Sequence, residues 1–234
     1  MNEVKLIDCM EYMKTVPDKY FELAIVDPPY FEQYGKQNYT GSDISTTGIK
    51  RQTKAIKFWG IPDDKYFKEL YRISKNQIIW GCNYYAKSIS DFGRIIWDKK
   101  NDSSTFSKAE IASKSFSLGV DMFRFEWNGM LQGNMKNKET RIHPTQKPVA
   151  LYKWLLKNYA KPNDKIFDSH VGSGSSRIAC YDMGFDFMGC ELDEDYWKAQ
   201  EERFNSHAMQ GDLFSGKELQ GSILAPCTPP LNEV

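Results

Sequence analysis

Short apolar runs of strand length alternate along this chain with segments of helical spacing. The runs with strand composition are Val4–Ile7, Phe21–Val26, Gln77–Cys82, Arg94–Trp97, Met122–Trp127, Lys165–Asp168 and Phe185–Cys190. The helical segments are Cys9–Val16, a stretch from Asp63 or Asp64 to Ser74, Tyr84–Ser90, Pro148–Tyr159, Ser173–Met183 and Asp195–Asn205. Strands that alternate with helices form parallel sheets that carry helices on both faces. The pattern therefore predicts an α/β fold with a mostly parallel twisted sheet.

The length of 234 residues suits one sizeable α/β domain. No linker-like stretch separates two cores, so we expect a single domain over residues 1–205. Two long polar segments interrupt it, about residues 31–61 and 128–142, and long irregular loops in a compact domain are usually functional or disordered. Residues 206–234 show little periodicity, and we expect a loosely held tail there.

The charge balance excludes an indiscriminate polycation, because Lys plus Arg and Asp plus Glu both number 31. The basic side chains nevertheless concentrate in the irregular segments, which suits a polyanion such as nucleic acid. Solvated charge on loops is the alternative interpretation. The candidate residues for binding nucleic acid are Lys36, Lys50, Arg51, Lys54, Lys138 and Arg141.

The five cysteines are scattered and include no Cys-x-x-Cys pair, which argues against a disulfide framework and against a zinc site. The first residues have no signal-peptide pattern, and no apolar run approaches the roughly 20 residues that span a bilayer. We therefore expect a soluble, cytoplasmic protein without a metal. Cys82, Cys180 and Cys190 stand in apolar surroundings and are expected in the core.

The tetrad Asp27-Pro28-Pro29-Tyr30 follows the buried strand Leu23–Val26. The carboxyl end of a strand is where open α/β sheets bind ligands. Asp27 could accept a hydrogen bond from an exocyclic amine, the Pro28 carbonyl could accept a second one, and Tyr30 offers a face for stacking. The tetrad thus fits a flat ring that bears an amine. A simple strand-ending turn is the alternative.

A second candidate site is the strand, glycine loop and helix formed by residues 167–176. Gly172 and Gly174 let the backbone approach a ligand, and the helix start offers free N–H groups. The loop lacks both the Gly-Lys-Ser/Thr of a phosphate loop and the full dinucleotide fingerprint. Glu191 ends the next strand about 20 residues on, where an acid binds ribose hydroxyls in such sheets. Loop and acid together predict a ribose-bearing cofactor, with an exposed helix-leading acid as the alternative for Glu191.

The order of these motifs resembles one family. The tetrad comes first, His143-Pro144-Thr145-Gln146-Lys147-Pro148 follows, and the glycine loop and Glu191 come last. Together with Leu6-Ile7-Asp8-Cys9, this order resembles the beta-type (permuted) DNA amino-methyltransferases of the adenine-N6/cytosine-N4 family over about residues 4–205. The resemblance implies a single Rossmann-like methyltransferase domain, S-adenosylmethionine as cofactor and double-stranded DNA as substrate, and it suggests a homodimer.

The resemblance also implies roles for individual residues. The catalytic residues would be Asp27, Pro28, Pro29 and Tyr30. Glu191 would bind the ribose of the cofactor, Asp8 would lie on its adenine side, and Thr145 and Lys147 would meet its carboxylate end. A solvated residue before a helix is the alternative for Lys147. The methionine end would be held by Asp168 and the loop residues Ser169, His170, Gly172 and Gly174.

The glycine loop departs from the family pattern Asp-Pro-Phe-x-Gly-Ser-Gly-Thr. Here Ser169 and His170 replace the proline and the phenylalanine, so the loop is more polar and loses an apolar contact. His170 could reach the cofactor or fill the place of the phenylalanine, and we favour the second interpretation. The glycines and Asp168 remain, so we expect cofactor binding to be kept.

The resemblance implies methyl transfer to the exocyclic amine of a flipped base, and Asp27 at the head of the tetrad favours adenine N6. Cytosine N4 in DNA and adenine in RNA remain alternatives, as does a non-catalytic nucleic-acid-binding subunit with the same fold. A Rossmann-type dehydrogenase is disfavoured by the missing fingerprint. Neither insertion is a recognisable DNA-binding fold, so we expect a short recognition sequence or relaxed selectivity.

Overall fold

The structure, a computed structural model, describes residues 1–30, 60–91, 93–102, 107–128, 131–136 and 138–215. Nearly all of the predicted insertion 31–61 therefore lies outside the described residues, as do residues 216–234 of the predicted tail. The same is true of four candidate DNA-binding residues, Lys36, Lys50, Arg51 and Lys54.

Strands and helices alternate as predicted. The strands are β1 (Asn2–Leu6), β2 (Phe21–Val26), β3 (Ser74–Trp80), β4 (Gly93–Asp98), β5 (Ala109–Lys114), β6 (Val120–Arg124), β7 (Trp127–Asn128), β8 (Leu131–Gln132), β9 (Lys165–Asp168) and β10 (Asp186–Glu191). The helices are α1 (Cys9–Lys14), α2 (Asp64–Ile73), α3 (Val149–Tyr159), α4 (Ser175–Met183) and α5 (Glu194–Ser215). None of these described helices is long and apolar enough to cross a membrane.

Eight strands form one sheet in the order β1-β10-β9-β2-β3-β5-β4-β6. Among these eight described strands only β5 runs antiparallel to its neighbours, so the prediction of a mostly parallel sheet is confirmed. The two short strands β7 and β8 form a separate two-stranded antiparallel sheet at the start of the predicted insertion 128–142.

The chain changes direction across the sheet between β2 and β9. From β2 it continues outward to β3, and from β9 it continues the opposite way to β10. β2 and β9 are paired in parallel, with Leu23 opposite Ile166 and Ala24 opposite Phe167. Their carboxyl ends therefore lie side by side, and at such a switch point the diverging connections leave a crevice that can accept a ligand.

The central strands are buried on both faces. Leu23 and Ile25 of β2 pack in a cluster with residues of α3 and α4, whereas Ala24 and Val26 pack in a second cluster with α1 and α2. This alternation follows from the two-residue period of a strand. The predicted core cysteines are all buried, with Cys82 at 5%, Cys180 at 1% and Cys190 at 0% exposure.

Two predicted helices differ from the structure. The segment Tyr84–Ser90 is not an α-helix: Gly81 turns the chain in a left-handed conformation, and only a short 3₁₀ turn, Cys82–Tyr84, follows. The last helix does not end at residue 205, because α5 continues to Ser215. In this extension the His207 ring bonds Asp182 of α4 at 2.6 Å, a tertiary contact that periodicity does not reveal.

Arg72, in the last turn of α2, fastens this helix to α1. Its guanidinium donates to the backbone carbonyls of Met13 at 2.7 Å and Val16 at 2.8 Å, which lie in the last turn of α1 and just beyond it. It also pairs with Glu69 and with Asp18. Arg72 therefore fixes two helices whose opposite ends reach the carboxyl edge of the sheet.

We expect Arg72→Ala to lower the free energy of unfolding by roughly 2 kcal/mol, because several charge-assisted hydrogen bonds to partly buried carbonyls are lost. Urea denaturation measures the change. Lys14→Ala is the control, since Lys14 only pairs with Glu11 on the surface and such pairs contribute little. Equal midpoints for the two variants would contradict this role of Arg72.

Candidate active site

A cavity of about 480 Å³ opens at the switch point, over the carboxyl ends of β1, β2, β9 and β10. The starts of α1 and α2 and the segment before α3 complete its wall. It brings together eleven of the predicted site residues: Asp8, Asp27, Pro28, Pro29, Tyr30, Thr145, Lys147, Ser169, His170, Gly172 and Glu191.

Lys147 forms an ion pair with Asp27 across the cavity wall. The Lys147 side chain is only 3% exposed, so the alternative of a solvated lysine is wrong. Its ammonium group also lies 3.0 Å from Glu110 Oε2 on β5, and Glu110 Oε1 lies 2.5 Å from Lys99 Nζ. Two cations and two carboxylates thus alternate and neutralise one another in the interior.

Burial and pairing oppose each other in this chain of charges. Burial raises the pKa of Asp27, and Lys147 counteracts that rise. At Glu110 burial also disfavours the charge, but Lys147 and Lys99 together outweigh it and lower the pKa to about 2. The pKa of Lys147 is raised despite its burial by its two carboxylate partners. The network therefore keeps Asp27 accompanied by a permanent positive charge.

The two oxygens of Asp27 are not equivalent. Oδ2 is the atom that Lys147 binds. Oδ1 is buried and has no hydrogen-bond partner among the residues that the structure describes. A buried carboxylate oxygen without a donor is costly. Since Asp27 lines the cavity, Oδ1 is the group there most in need of a donor from a ligand.

The rest of the tetrad is held by residues of the β3 end. The Tyr85 hydroxyl donates to the Pro29 carbonyl at 2.5 Å and lies 3.1 Å from the Pro28 carbonyl. The Tyr84 ring stacks on Tyr30, with ring centres 4.4 Å apart and planes 3° from parallel. Gly81 makes room for the Tyr30 ring, because an added Cβ there would lie 2.6 Å from ring carbon Cδ1.

Asp168, at the end of β9, holds the glycine loop in place through two hydrogen bonds. Its Oδ2 accepts from Ser176 Oγ at 2.6 Å, and its Oδ1 accepts from the His170 backbone N–H at 3.0 Å. Asp168 is 2% exposed and, like Gly174, does not belong to the cavity lining. Burial raises the pKa of Asp168 to about 7, although both hydrogen bonds act against the rise.

Acids at two other strand ends shape the cavity through backbone contacts. Glu191 accepts from the backbone N–H groups of Gly172 at 2.8 Å and Asp193 at 2.9 Å, and burial raises its pKa against these bonds. Asp8 caps α1 by accepting from the Met10 N–H at 2.8 Å. Both carboxylates therefore fix the local backbone and also line the cavity.

The segment His143–Pro148 owes its shape to Gln146. The side chain of Gln146 accepts from the Ile142 N–H at 3.0 Å and donates to the Thr140 carbonyl at 3.2 Å. Its own carbonyl accepts from the indole N–H of Trp127 at 2.9 Å. This clamp sets the segment so that Lys147 enters the cavity wall. Thr145 lines the cavity and lies 3.1 Å, Oγ1 to Nδ1, from the His143 ring.

Lys138 and Arg141 lie outside the cavity lining and are exposed. The Arg141 guanidinium lies over the Trp127 ring, 4.5 Å from its centre, so part of its function is packing. Between them, Glu139 turns inward to pair with Arg203 of α5 at 2.7 Å. The two basic residues thus remain on the surface of a segment that is anchored to the domain.

Sequence reasoning missed three residues of the site. Glu110 was hidden in a segment of ambiguous period, and its only signal was a lone acid beside apolar neighbours. Tyr85 acts through the carbonyls of Pro28 and Pro29, which are distant in sequence. Gln146 acts through backbone groups of residues that precede it in the chain. No periodicity encodes such contacts.

The matching family model, described as "DNA methylase" and labelled for N6 and N4 methylases, covers residues 96–202. The Type II methyltransferase M.HinfI of Haemophilus influenzae is 24% identical over 257 aligned residues, which cover 87% of this chain and 68% of that protein. The structure of the M1.HpyAVI–SAM complex superimposes with a TM-score of 0.54 at 18% identity, covering 87% of this chain and 100% of the other.

A second solved structure shares the fold. It is the PvuII DNA methyltransferase, described as cytosine-N4-specific, with a TM-score of 0.57 at 13% identity over 91% of each chain. At these identities the two superpositions show the fold alone, and they confirm the Rossmann-like methyltransferase architecture. With the family match over residues 96–202 and the motif order, they lead to one conclusion: the chain is similar to the N6/N4 amino-methyltransferases of DNA.

Proposed function

We propose that this protein transfers a methyl group from S-adenosylmethionine to the exocyclic amine of a base in double-stranded DNA, with adenine N6 as the acceptor. One observation carries the proposal. The buried Oδ1 of Asp27 lacks a donor within the described part of the chain, and Asp27 lines the same cavity as the glycine loop. An amine hydrogen would supply that missing donor.

The residues present fit the cofactor. A cavity of about 480 Å³ is within the usual size range of small-molecule sites. Gly172 has a left-handed φ of +53°, a backbone conformation that residues with a side chain rarely adopt, so the loop needs glycine there. Glu191 would hold the ribose, Asp8 would face the adenine and Thr145 the carboxylate end. When bound, S-adenosylmethionine supplies a methyl group activated by its sulfonium.

Lys147 has a more specific role in the proposal than the carboxylate contact expected from the sequence. An ammonium group has three N–H donors, and Asp27 and Glu110 engage it from two directions. At most its remaining N–H can meet the cofactor. Its main function is to bind Asp27 Oδ2, which leaves Oδ1 directed to the substrate. For Asp168, the observed bonds support a role in shaping the loop rather than direct contact.

The tetrad would prepare the acceptor nitrogen. The lone pair of an aromatic amine is delocalised into the ring, which makes it a poor nucleophile. Asp27 Oδ1 and the Pro28 carbonyl would each accept one amine hydrogen, favouring a pyramidal nitrogen whose lone pair faces the methyl group. The Tyr85 hydroxyl holds the Pro28 and Pro29 carbonyls in place through hydrogen bonds. The gain is positioning and electrostatic stabilisation, and Asp27 Oδ1 can receive the proton that the nitrogen loses after transfer.

The acceptor base must leave the duplex to reach this cavity, at a cost of a few kcal/mol. Stacking on Tyr30 would recover part of that cost, since base–aromatic stacking contributes about 1–3 kcal/mol. Tyr84 already covers one face of the Tyr30 ring. The base would therefore use the opposite face or displace Tyr84. Lys138 and Arg141, exposed beside the cavity segment, would contact the phosphate backbone.

Nucleoside analysis of DNA methylated with labelled S-adenosylmethionine tests the proposal directly. We expect N6-methyladenine, and a loss of about 10²- to 10³-fold in kcat for Asp27→Asn, because the amide cannot replace the charged acceptor. Asp18→Asn, 76% exposed on the surface, is the matched control and should retain activity.

The other products distinguish the alternatives. N4-methylcytosine would keep the chemistry and overturn the choice of base, and methylation of RNA alone would overturn the substrate. Absence of both methyl transfer and S-adenosylmethionine binding would favour a non-catalytic subunit. Sequencing the methylated sites then tests selectivity, and a unique site of six or more base pairs would contradict the expected short recognition sequence.

We expect Lys147→Met to shift the acidic limb of the kcat/KM profile to higher pH by about 1–3 units. Without the ammonium group, Asp27 and Glu110 repel each other, so the pKa of Asp27 rises further and its ionised form appears only at higher pH. Steady-state kinetics between about pH 5 and 9 measures the shift, because a carboxylate with a raised pKa titrates in that range. Lys153→Met, on the exposed part of α3, is the control.

The double variant Lys147→Met/Glu110→Gln separates charge from packing. Removing the second carboxylate relieves the repulsion, so the acidic limb should return part of the way toward that of the unmodified protein. An unchanged limb in the single variant, or no return in the double variant, would contradict the electrostatic role of Lys147.

A further inference from the structure

Ser169 and His170, the two loop residues that depart from the family pattern, form a chain of hydrogen bonds with Tyr66 of α2. The Tyr66 hydroxyl lies 2.6 Å from Ser169 Oγ, and Ser169 Oγ lies 2.8 Å from His170 Nδ1. The Tyr66 ring also meets the His170 ring edge-on, with centres 5.6 Å apart. All three residues line the cavity, and Tyr66 and Ser169 are each only 2% exposed.

The direction of the hydrogen bonds follows from burial. In the described part of the chain, Ser169 Oγ is the acceptor in reach of the Tyr66 hydroxyl, so Tyr66 donates to Ser169. Ser169 then donates its own hydrogen to His170 Nδ1. With both bonds reversed, the Tyr66 hydroxyl hydrogen would be buried without an acceptor among the described residues. If Tyr66 and a His170 Nδ1–H both donated to Ser169, the Ser169 hydrogen would lack one, and native structures avoid either arrangement. His170 Nδ1 is therefore an acceptor, and a neutral ring must carry its proton on Nε2.

The environment of His170 also keeps the ring uncharged. Burial lowers the pKa of His170 to about 4, and the negative charge of Asp8 opposes this only in part. Near neutral pH the imidazole is therefore neutral. Asp8 and His170 line the same cavity, and the charge of Asp8 acts on the His170 ring.

We propose that Tyr66 and Ser169 hold His170 in its Nε2–H form, and that this N–H donates a hydrogen bond to the nucleoside half of the cofactor. The inference rests on the proposed function, which assigns the Asp8 side of the cavity to the adenine. Adenine ring nitrogens and ribose oxygens offer acceptors, which a phenylalanine at position 170 could not use. Tyr66 and Ser169 are positioning residues, and His170 is a binding residue rather than a substitute for an apolar ring.

The network can be tested without any ligand. The chain has three histidines, and ¹⁵N-imidazole spectra of the ligand-free protein report the tautomer of each, with His170 assigned by its loss in His170→Gln. We expect the Nε2–H form at neutral pH. In Tyr66→Phe, Ser169 is free to accept from Nδ1–H, so the population should move toward that form. An imidazolium or an Nδ1–H ring in the unmodified protein would overturn the network.

Tyr71→Phe is the matched control for Tyr66→Phe. It lies on the same helix and loses one hydroxyl bond, 2.5 Å to Asp91, but Tyr71 does not line the cavity. The His170 spectrum should be unchanged in this variant. If Tyr66→Phe also leaves the spectrum unchanged, Tyr66 does not position the ring and the proposal fails.

Calorimetry with S-adenosylhomocysteine tests the donor. His170→Phe should bind roughly 3- to 10-fold more weakly, the effect of one lost hydrogen bond, whereas His170→Gln keeps an N–H of similar reach and should stay closer to the unmodified protein. Thermal melting of both variants separates folding from binding. Equal affinities for the two variants would overturn the donor role. If the unmodified protein does not bind, the proposed function fails, while the tautomer measurement still decides the network.

Discussion

The ion pair between Asp27 and Lys147 is the interaction on which the site depends. It joins residues 120 positions apart, one at the end of β2 and the other just before α3. Buried charges of this kind persist only where partners compensate them, and here Glu110 and Lys99 complete a neutral chain. The pair occupies one oxygen of Asp27 and leaves the other, which is buried in the cavity-lining residue, without a hydrogen-bond partner among the described residues. The ion pair with Lys147 therefore fixes the orientation of the Asp27 carboxylate.

The fold explains why these charges meet where a ligand can reach them. At the switch point, the neighbouring ends of β2 and β9 bring the tetrad beside the glycine loop. The acids that follow β1 and end β10 then border the same cavity. Each of them also bonds the local backbone, so the groups proposed to hold the cofactor are positioned before it binds. Such preorganisation is the main means by which a site of this kind could accelerate a transfer.

The sequence predicted the parts of the site that local patterns encode. A buried strand followed by an acid identifies Asp27, Asp168 and Glu191, because strand period and the strand end are both readable along the chain. Glu110 and Tyr85 escaped, since their roles arise from contacts between strands and loops far apart in sequence. A tertiary contact also accounts for the extension of α5, since His207 bonds Asp182 of α4. The helix expected at Tyr84–Ser90 fails for a local reason, because Gly81 redirects the chain in a left-handed turn.

The proposed function requires Asp27 Oδ1 to receive the exocyclic amine of the acceptor base. A crystal structure of the protein with sinefungin and duplex DNA that contains the methylated sequence tests it most directly. We expect a flipped base whose amine nitrogen lies within hydrogen-bond distance of Oδ1, while Lys147 remains on Oδ2. An amine that bonds neither Oδ1 nor the Pro28 carbonyl, or a lysine that leaves Asp27 for the substrate, would contradict it.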